Sequence, residues 1–210
     1  NISINIFIST FSKTSYKRNK IFGSLMGTLG KDFKYKIIKN FLTKDEILLL
    51  KEHCIIKHRM NVNSFDEKMS PILDSHFYGD PIMESLLINK KNIMEKETNL
   101  ELLPTYSFWR MYTLFAELPK HTDRPSCEVS ATVVIDSDGT SWPIFIDGTP
   151  LNLEIGDAAI YLGMQVKHWR EEYKGDGQSQ VFLHYVNKNG KYQNEFMDRR
   201  QLFGMPKNKE

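Results

Sequence analysis

The segment Pro119-Lys120-His121-Thr122-Asp123 places an imidazole and a carboxylate two residues apart. Side chains at i and i+2 of an extended segment point the same way, ~6.5–7 Å apart along the chain, so both can reach one metal ion. His168 adds a third candidate ligand, at the end of an apolar run that Leu153, Gly156 and Asp157 introduce. Two imidazoles and a carboxylate form the facial set that leaves three positions of Fe(II) open for a bidentate co-substrate and dioxygen. The same groups can hold zinc as a Lewis acid, so the residue types alone do not select the metal. Taken alone, His-x-Asp is weak, because a chain with six His and many Asp makes that spacing by chance. A hydrogen-bonded surface pair is the simpler account. The context argues for a site: an aromatic strand precedes the pair, and an apolar strand leads to His168.

Those ligands need elements to hold them. Phe33, Tyr35, Ile37 and Ile38 have strand character, and Thr43-Lys44-Asp45-Glu46 is a capping-box pattern that starts a helix from Lys44 to about Cys54. Asp80-Pro81 starts a second, with Ile82, Met83, Leu86, Leu87, Ile93 and Met94 at roughly helical spacing toward Lys96. After Pro104 the pattern turns to short β-type runs: 106–114, 129–135, 142–146, 151–155, 158–162, 166–169 and 181–186. Asp138-Gly139, Asp147-Gly148, Gly156-Asp157 and Gly175-Asp176-Gly177 are the turns between them. The expectation is a mostly β sandwich or barrel with two helices packed outside it. Residues 61–79 read as a polar loop, of the kind that often covers a site.

Composition bounds the rest. The 210 residues carry 28 Lys and Arg against 26 Asp and Glu, a formal net charge of +2, which provides no basic field for tracking nucleic acid. Cys54 and Cys127 are too few for a disulfide framework or a thiolate cluster, which suggests a reducing compartment and cytoplasmic residence. No apolar run approaches the ~18 residues of a membrane span. Residues 1–30 contain no acid, while Lys13, Lys17, Arg18 and Lys20 sit among Ser and Thr; organelle targeting is the alternative such a composition allows. Without those four, 24 basic residues face 26 acidic ones. The expected organisation is a disordered basic extension over 1–31, one domain over 32–190 and a polar tail over 191–210.

From about Phe33 to Val186 the chain resembles the 2-oxoglutarate/Fe(II)-dependent oxygenases, in particular their prolyl 4-hydroxylase-like branch. The resemblance rests on the lead-in Ile37-Ile38-Lys39-Asn40-Phe41-Leu42-Thr43-Lys44-Asp45-Glu46, on Tyr112 nine residues before His121, and on His168 twelve residues after Gly156. It implies a double-stranded β-helix, the jelly-roll or cupin-like barrel, supported by two N-terminal helices. It further implies Fe(II) on His121, Asp123 and His168, with Tyr112 hydrogen-bonded to 2-oxoglutarate. The activity it implies is hydroxylation of a C–H bond, with O2 consumed and succinate and CO2 released. Ascorbate is a further cofactor it allows. The substrate would be a small molecule or a peptide or protein residue, with neither nucleic acid nor membrane as a partner; oligomeric state stays open.

The match departs at one place. The family sets an Arg or Lys about ten residues after the second His to pair with the distal carboxylate of 2-oxoglutarate, and this chain has Gln178 and Gln180 there. Glutamine cannot neutralise a buried carboxylate, so another cation should enter the pocket. Arg170 is the first nominee, because at i+2 from His168 it points inward as well. Arg110, on the strand face of Tyr112, and Arg124, next to Asp123, are the others. Gln180 could contribute a hydrogen bond. Glu128 could orient Arg124 or, like Arg124, touch substrate. Each arginine could equally serve an ordinary ion pair, Arg124 with Glu128 for one. The departure keeps two other classes open: a cupin-like metalloenzyme that does not use 2-oxoglutarate, and a binding module on the same barrel without catalysis.

Overall fold

The computed structural model describes residues 33–63 and 74–206. The expectations for the basic extension, and for the middle of the 61–79 segment, lie outside the described residues. The chain runs β1 (Tyr35–Ile38), α1 (Lys44–Asn63), β2 (Asp74–Tyr78), α2 (Pro81–Thr98), β3 (Leu102–Tyr112), β4 (Leu118–His121) and a 3-10 turn (Pro125–Cys127). It continues through β5 (Val129–Ser137), β6 (Ile144–Ile146), β7 (Thr149–Leu151), β8 (Ala158–Tyr161), β9 (His168–Arg170), β10 (Gln178–Asn187) and a 3-10 segment (Gln193–Arg199).

Two antiparallel sheets result. The larger has the order β1-β8-β5-β10-β3-β2 and the smaller β4-β9-β6-β7. Alternation along the large sheet divides its residues between two environments. Val129, Ala131, Val133, Ile135, Val181, Leu183, Tyr185 and Trp109 face outward into the main core, where Leu50, Cys54, Met83, Leu87 and Met94 of the helices cover them. Ile144, Ile146, Leu151, Ala159, Tyr161 and Val166 form a second core between the sheets.

The helix starts follow the capping chemistry of the sequence. Glu46 N donates to Thr43 Oγ1 at 3.2 Å while Thr43 N donates to Glu46 Oε2 at 2.7 Å. Asp80 accepts from Ile82 N at 3.1 Å, with Pro81 at the first helical position. Several boundaries differ from expectation: β3 starts at Leu102, Leu118–His121 forms a strand where none was expected, and the 151–155 run contributes only Leu151 to β7. The first helix does not stop near Cys54 but runs to Asn63, because no Gly or Pro interrupts 55–63. The end of the segment read as loop is the edge strand β2, whose partner β3 supplies its register: Phe77 lies opposite Trp109 and stacks on it at 4.6 Å.

Candidate metal centre and its cavity

β4 and β9 are partners, and their register sets His121 directly across from His168, after a bulge between Leu118 and His121. Asp123 follows β4 in a turn whose amide donates to Gly163 O at 2.9 Å. Its Oδ1 lies 3.5 Å from the Nε2 of each histidine. Ligands held ~2.1 Å from one ion, 90–110° apart, lie ~3.0–3.5 Å from one another, so these three atoms fit around a single metal.

The ring orientations agree. His121 Nδ1 is 2.7 Å from Pro119 O and His168 Nδ1 is 3.1 Å from Val166 O. A carbonyl only accepts, so each Nδ1 carries the hydrogen and each Nε2 lone pair is left toward Asp123, the arrangement typical of ligating histidines. Burial pushes the Asp123 carboxyl upward, but without a metal the Nε2 atoms of His121 and His168 can take up protons and donate to it, and these hydrogen bonds outweigh burial and hold the group well below the usual carboxylate range. The hydrogen bond to Asp123 raises the His121 pKa. Protons therefore compete with a metal for this cluster.

Asp123, Cys127 and His184 offer ligand atoms that are also close together. They are poorer donors. Burial pushes the Cys127 thiol far up, and Sγ sits 3.0 Å from the Tyr106 hydroxyl; His184 Nδ1 is engaged with Ser130 Oγ at 2.9 Å.

The triad opens on a cavity of about 210 Å³, walled by Tyr106, Phe108, Arg110, Tyr112, Phe182 and His184. Tyr112 and Arg110 both line it, and the Arg110 guanidinium lies 4.4 Å over the Tyr112 ring. Arg170 is buried on β9 at 2% exposure, near Tyr112 and Tyr161 of the cavity wall but not itself among the residues lining the cavity. It donates to Trp142 O and lies 4.7 Å over the Trp142 ring, and its Nε has no partner. With the Gln180 amide turned to satisfy both its ends, Oε1 accepts from Arg170 Nη2 at 3.0 Å and the nitrogen donates to Thr132 Oγ1 at 3.1 Å. Gln178 joins the same chain of hydrogen bonds. Burial lowers the Arg170 pKa to about 10, and Tyr112 and Tyr161 are the phenols near its charge. No carboxylate among the described residues pairs with it.

The remaining nominees are engaged elsewhere. Arg124 makes a two-pronged contact with Asp198, at 2.5 and 2.8 Å, rather than pairing with Glu128. Glu128 accepts from Asn187 N at 2.8 Å, away from the cavity wall. Sequence reasoning missed Gly163, where any Cβ would overlap Asp123 Oδ2 and the Cys127 carbonyl. It also missed Asp198. A glycine seven residues from Gly156 and an acid in a polar tail carry no signal of a partner so remote in the chain.

No protein-family model matches the chain, and no curated protein does. Solved structures do. A viral collagen prolyl hydroxylase from Paramecium bursaria Chlorella virus-1, in complex with 2-oxoglutarate, superposes with a TM-score of 0.57 at 11% identity, covering 73% of this chain and 96% of the other. The prolyl-4-hydroxylase of Pseudomonas putida gives 0.56 at 16% identity, covering 73% and 92%. HygX from Streptomyces hygroscopicus, with nickel and 2-oxoglutarate bound, gives 0.57 at 10%, covering 74% and 83%. The fold is the double-stranded β-helix. The architecture implied by the resemblance, a mostly β barrel braced by two helices, is thus present, and within it His121, Asp123 and His168 lie close together.

Proposed function

We propose that the chain is an Fe(II)- and 2-oxoglutarate-dependent dioxygenase that hydroxylates a C–H bond. The observation that carries the reading is the convergence of His121, Asp123 and His168, with both Nε2 lone pairs turned to one carboxylate oxygen. Iron and 2-oxoglutarate, when bound, supply the activation of dioxygen that unreactive C–H bonds require, with succinate and CO2 released. The protein's share is placement. His121, Asp123 and His168 hold the metal on one face and leave the cavity side open. Arg170 is an uncompensated buried cation beside Tyr112, which suits the distal carboxylate of the co-substrate. Gln180 fixes the guanidinium from behind, so the Gln found where a basic residue was expected serves the cation instead of replacing it. Tyr106, Phe108 and Phe182 exclude water from the side on which substrate would lie.

The test is succinate formation from 2-oxoglutarate with added Fe(II), screened over amino acids and peptides. Turnover by the wild type and none by His168→Ala supports the reading. Metal binding without consumption of 2-oxoglutarate under any condition of the screen favours the cupin-like alternative.

A further inference from the structure

The chain after β10 grips the site from outside. Its 3-10 segment packs against β3 and the Pro125–Cys127 turn. Within it Met197, Asp198 and Arg199 take successive left-handed conformations, at φ 52°, 54° and 62°. Residues with a Cβ resist that region and stay there only where surrounding contacts impose it.

Those contacts converge on Asp198. Its side chain, 1% exposed, accepts from Arg124 Nη1 and Nη2 at 2.5 and 2.8 Å, from Ser126 Oγ at 2.7 Å and from the Tyr78 hydroxyl at 2.5 Å. Arg200 then pairs with Glu84 of α2, both fully buried, and donates to Thr105 O of β3 at 3.1 Å. The strap is therefore fastened both to the turn it covers and to α2 and β3. Arg124 directly follows Asp123, and Ser126 is three residues from it. On the inner side the same turn is held by Asp123 N bonding to Gly163 O. Arg124 also lies 4.5 Å over the ring of Tyr106, a wall of the cavity.

We propose that Asp198 is a positioning residue for the metal carboxylate: by clasping Arg124 and Ser126 it sets where Asp123 stands, and so couples docking of the C-terminal strap to metal binding. The inference rests on the reading of His121, Asp123 and His168 as ligands. Asp198 touches neither metal nor co-substrate and acts only through the turn. Coupling of this kind is reciprocal: the factor that the docked strap adds to metal affinity is the factor that bound metal adds to the strap's resistance to opening.

Two measurements on the full chain test it: Mn(II) titration of wild type, D198N and R124K, and amide hydrogen exchange over residues 193–200 with and without Mn(II). The metal-free D198N protein should melt cooperatively yet bind Mn(II) at least ~10-fold more weakly than wild type, with R124K between them. In the wild type, Mn(II) should slow exchange in the strap by a factor of the same order. A folded D198N that binds Mn(II) as tightly as wild type overturns the proposal. Should D198N fail to fold, exchange in the wild type decides, and a strap whose exchange ignores the metal overturns it. Failure of the wild type to bind Mn(II) at all would instead remove the metal reading, and this inference with it, before any variant is compared.

Discussion

Arg170 carries a positive charge into a place that water does not reach, and no carboxylate among the described residues meets it there. A buried ion without a counter-ion weakens a fold, whereas an arriving anion would gain a charge-assisted, two-pronged contact. Stability and binding should therefore separate at this residue. Arg170→Met is expected to leave the melting temperature of the ligand-free protein unchanged or to raise it, by up to ~2 kcal/mol of stability. The same change should weaken 2-oxoglutarate binding by ~30-fold or more, as a calorimetric titration in the presence of Mn(II) would read. A variant that melts lower and binds the co-substrate normally would make Arg170 a structural residue that merely holds Trp142. Gly163 is the opposite case, a residue that matters by lacking atoms. Gly163→Ala would set a Cβ against both the Asp123 carboxylate and the Cys127 carbonyl, so the turn that carries them must shift. Metal affinity should fall ~10-fold or more while the far-ultraviolet circular dichroism stays that of the wild type.

At the scale of elements, His121 and His168 belong to the small sheet and Asp123 to the turn after it, the cavity wall belongs to β3 and β10 of the large sheet, and the helices cover that sheet's outer face. The β4–β9 register creates the histidine pair, and the bulge in β4 brings His121 opposite His168. α1 and α2 cover the outer face of β3, β5 and β10, away from the cavity that His121, Asp123 and His168 line. Damage to a helix start should therefore cost stability without reaching the chemistry. Thr43→Ala removes one half of the capping box and should destabilise the protein by ~1 kcal/mol in chemical denaturation, with Mn(II) affinity of the folded protein unchanged. A loss of metal affinity in that variant would show that α1 bears on the site.

Across the whole molecule, buried groups make the fold acid-sensitive in two windows, an upper one from His184 and a lower one that Asp198 shares with Asp123. Burial holds the His184 imidazole down to about 4. Between that value and the ~6.5 of a free imidazole, the unfolded chain binds a proton that the native one does not, so stability falls as pH drops through this range, by up to ~3 kcal/mol. Burial pulls the Asp198 carboxyl upward, but hydrogen bonds from Arg124, Tyr78 and Ser126 outweigh it and hold it at about 2. Its contribution is complete above the ordinary ~3.9 of an aspartate and is lost as pH falls from there toward 2. Melting of the metal-free protein should accordingly decline in two stages, and His184→Phe should remove the upper stage alone. A single decline, identical in the two proteins, would remove His184 from the account.

The local features were legible in the residues themselves. Thr43 with Glu46, and Asp80 with Pro81, start helices where the sequence says, because capping acts over three or four residues and needs no distant partner. The His121-x-Asp123 pair is legible as a candidate for a related reason, since spacing of two along an extended chain sets the direction of a side chain, whereas His168 is singled out by the resemblance and the Gly156-Asp157 turn before it. The burial of Arg170 follows from the same parity. What parity leaves open is the partner, since it says which way a side chain points and nothing about what stands opposite. Only the folded chain brings Asp198 to Arg124, Gly163 under Asp123 and Gln180 behind Arg170, at separations of 74, 40 and 10 residues. Such contacts depend on how two sheets and a returning tail close on one another. That closure is decided by long-range pairing and burial, which no window of neighbouring residues contains.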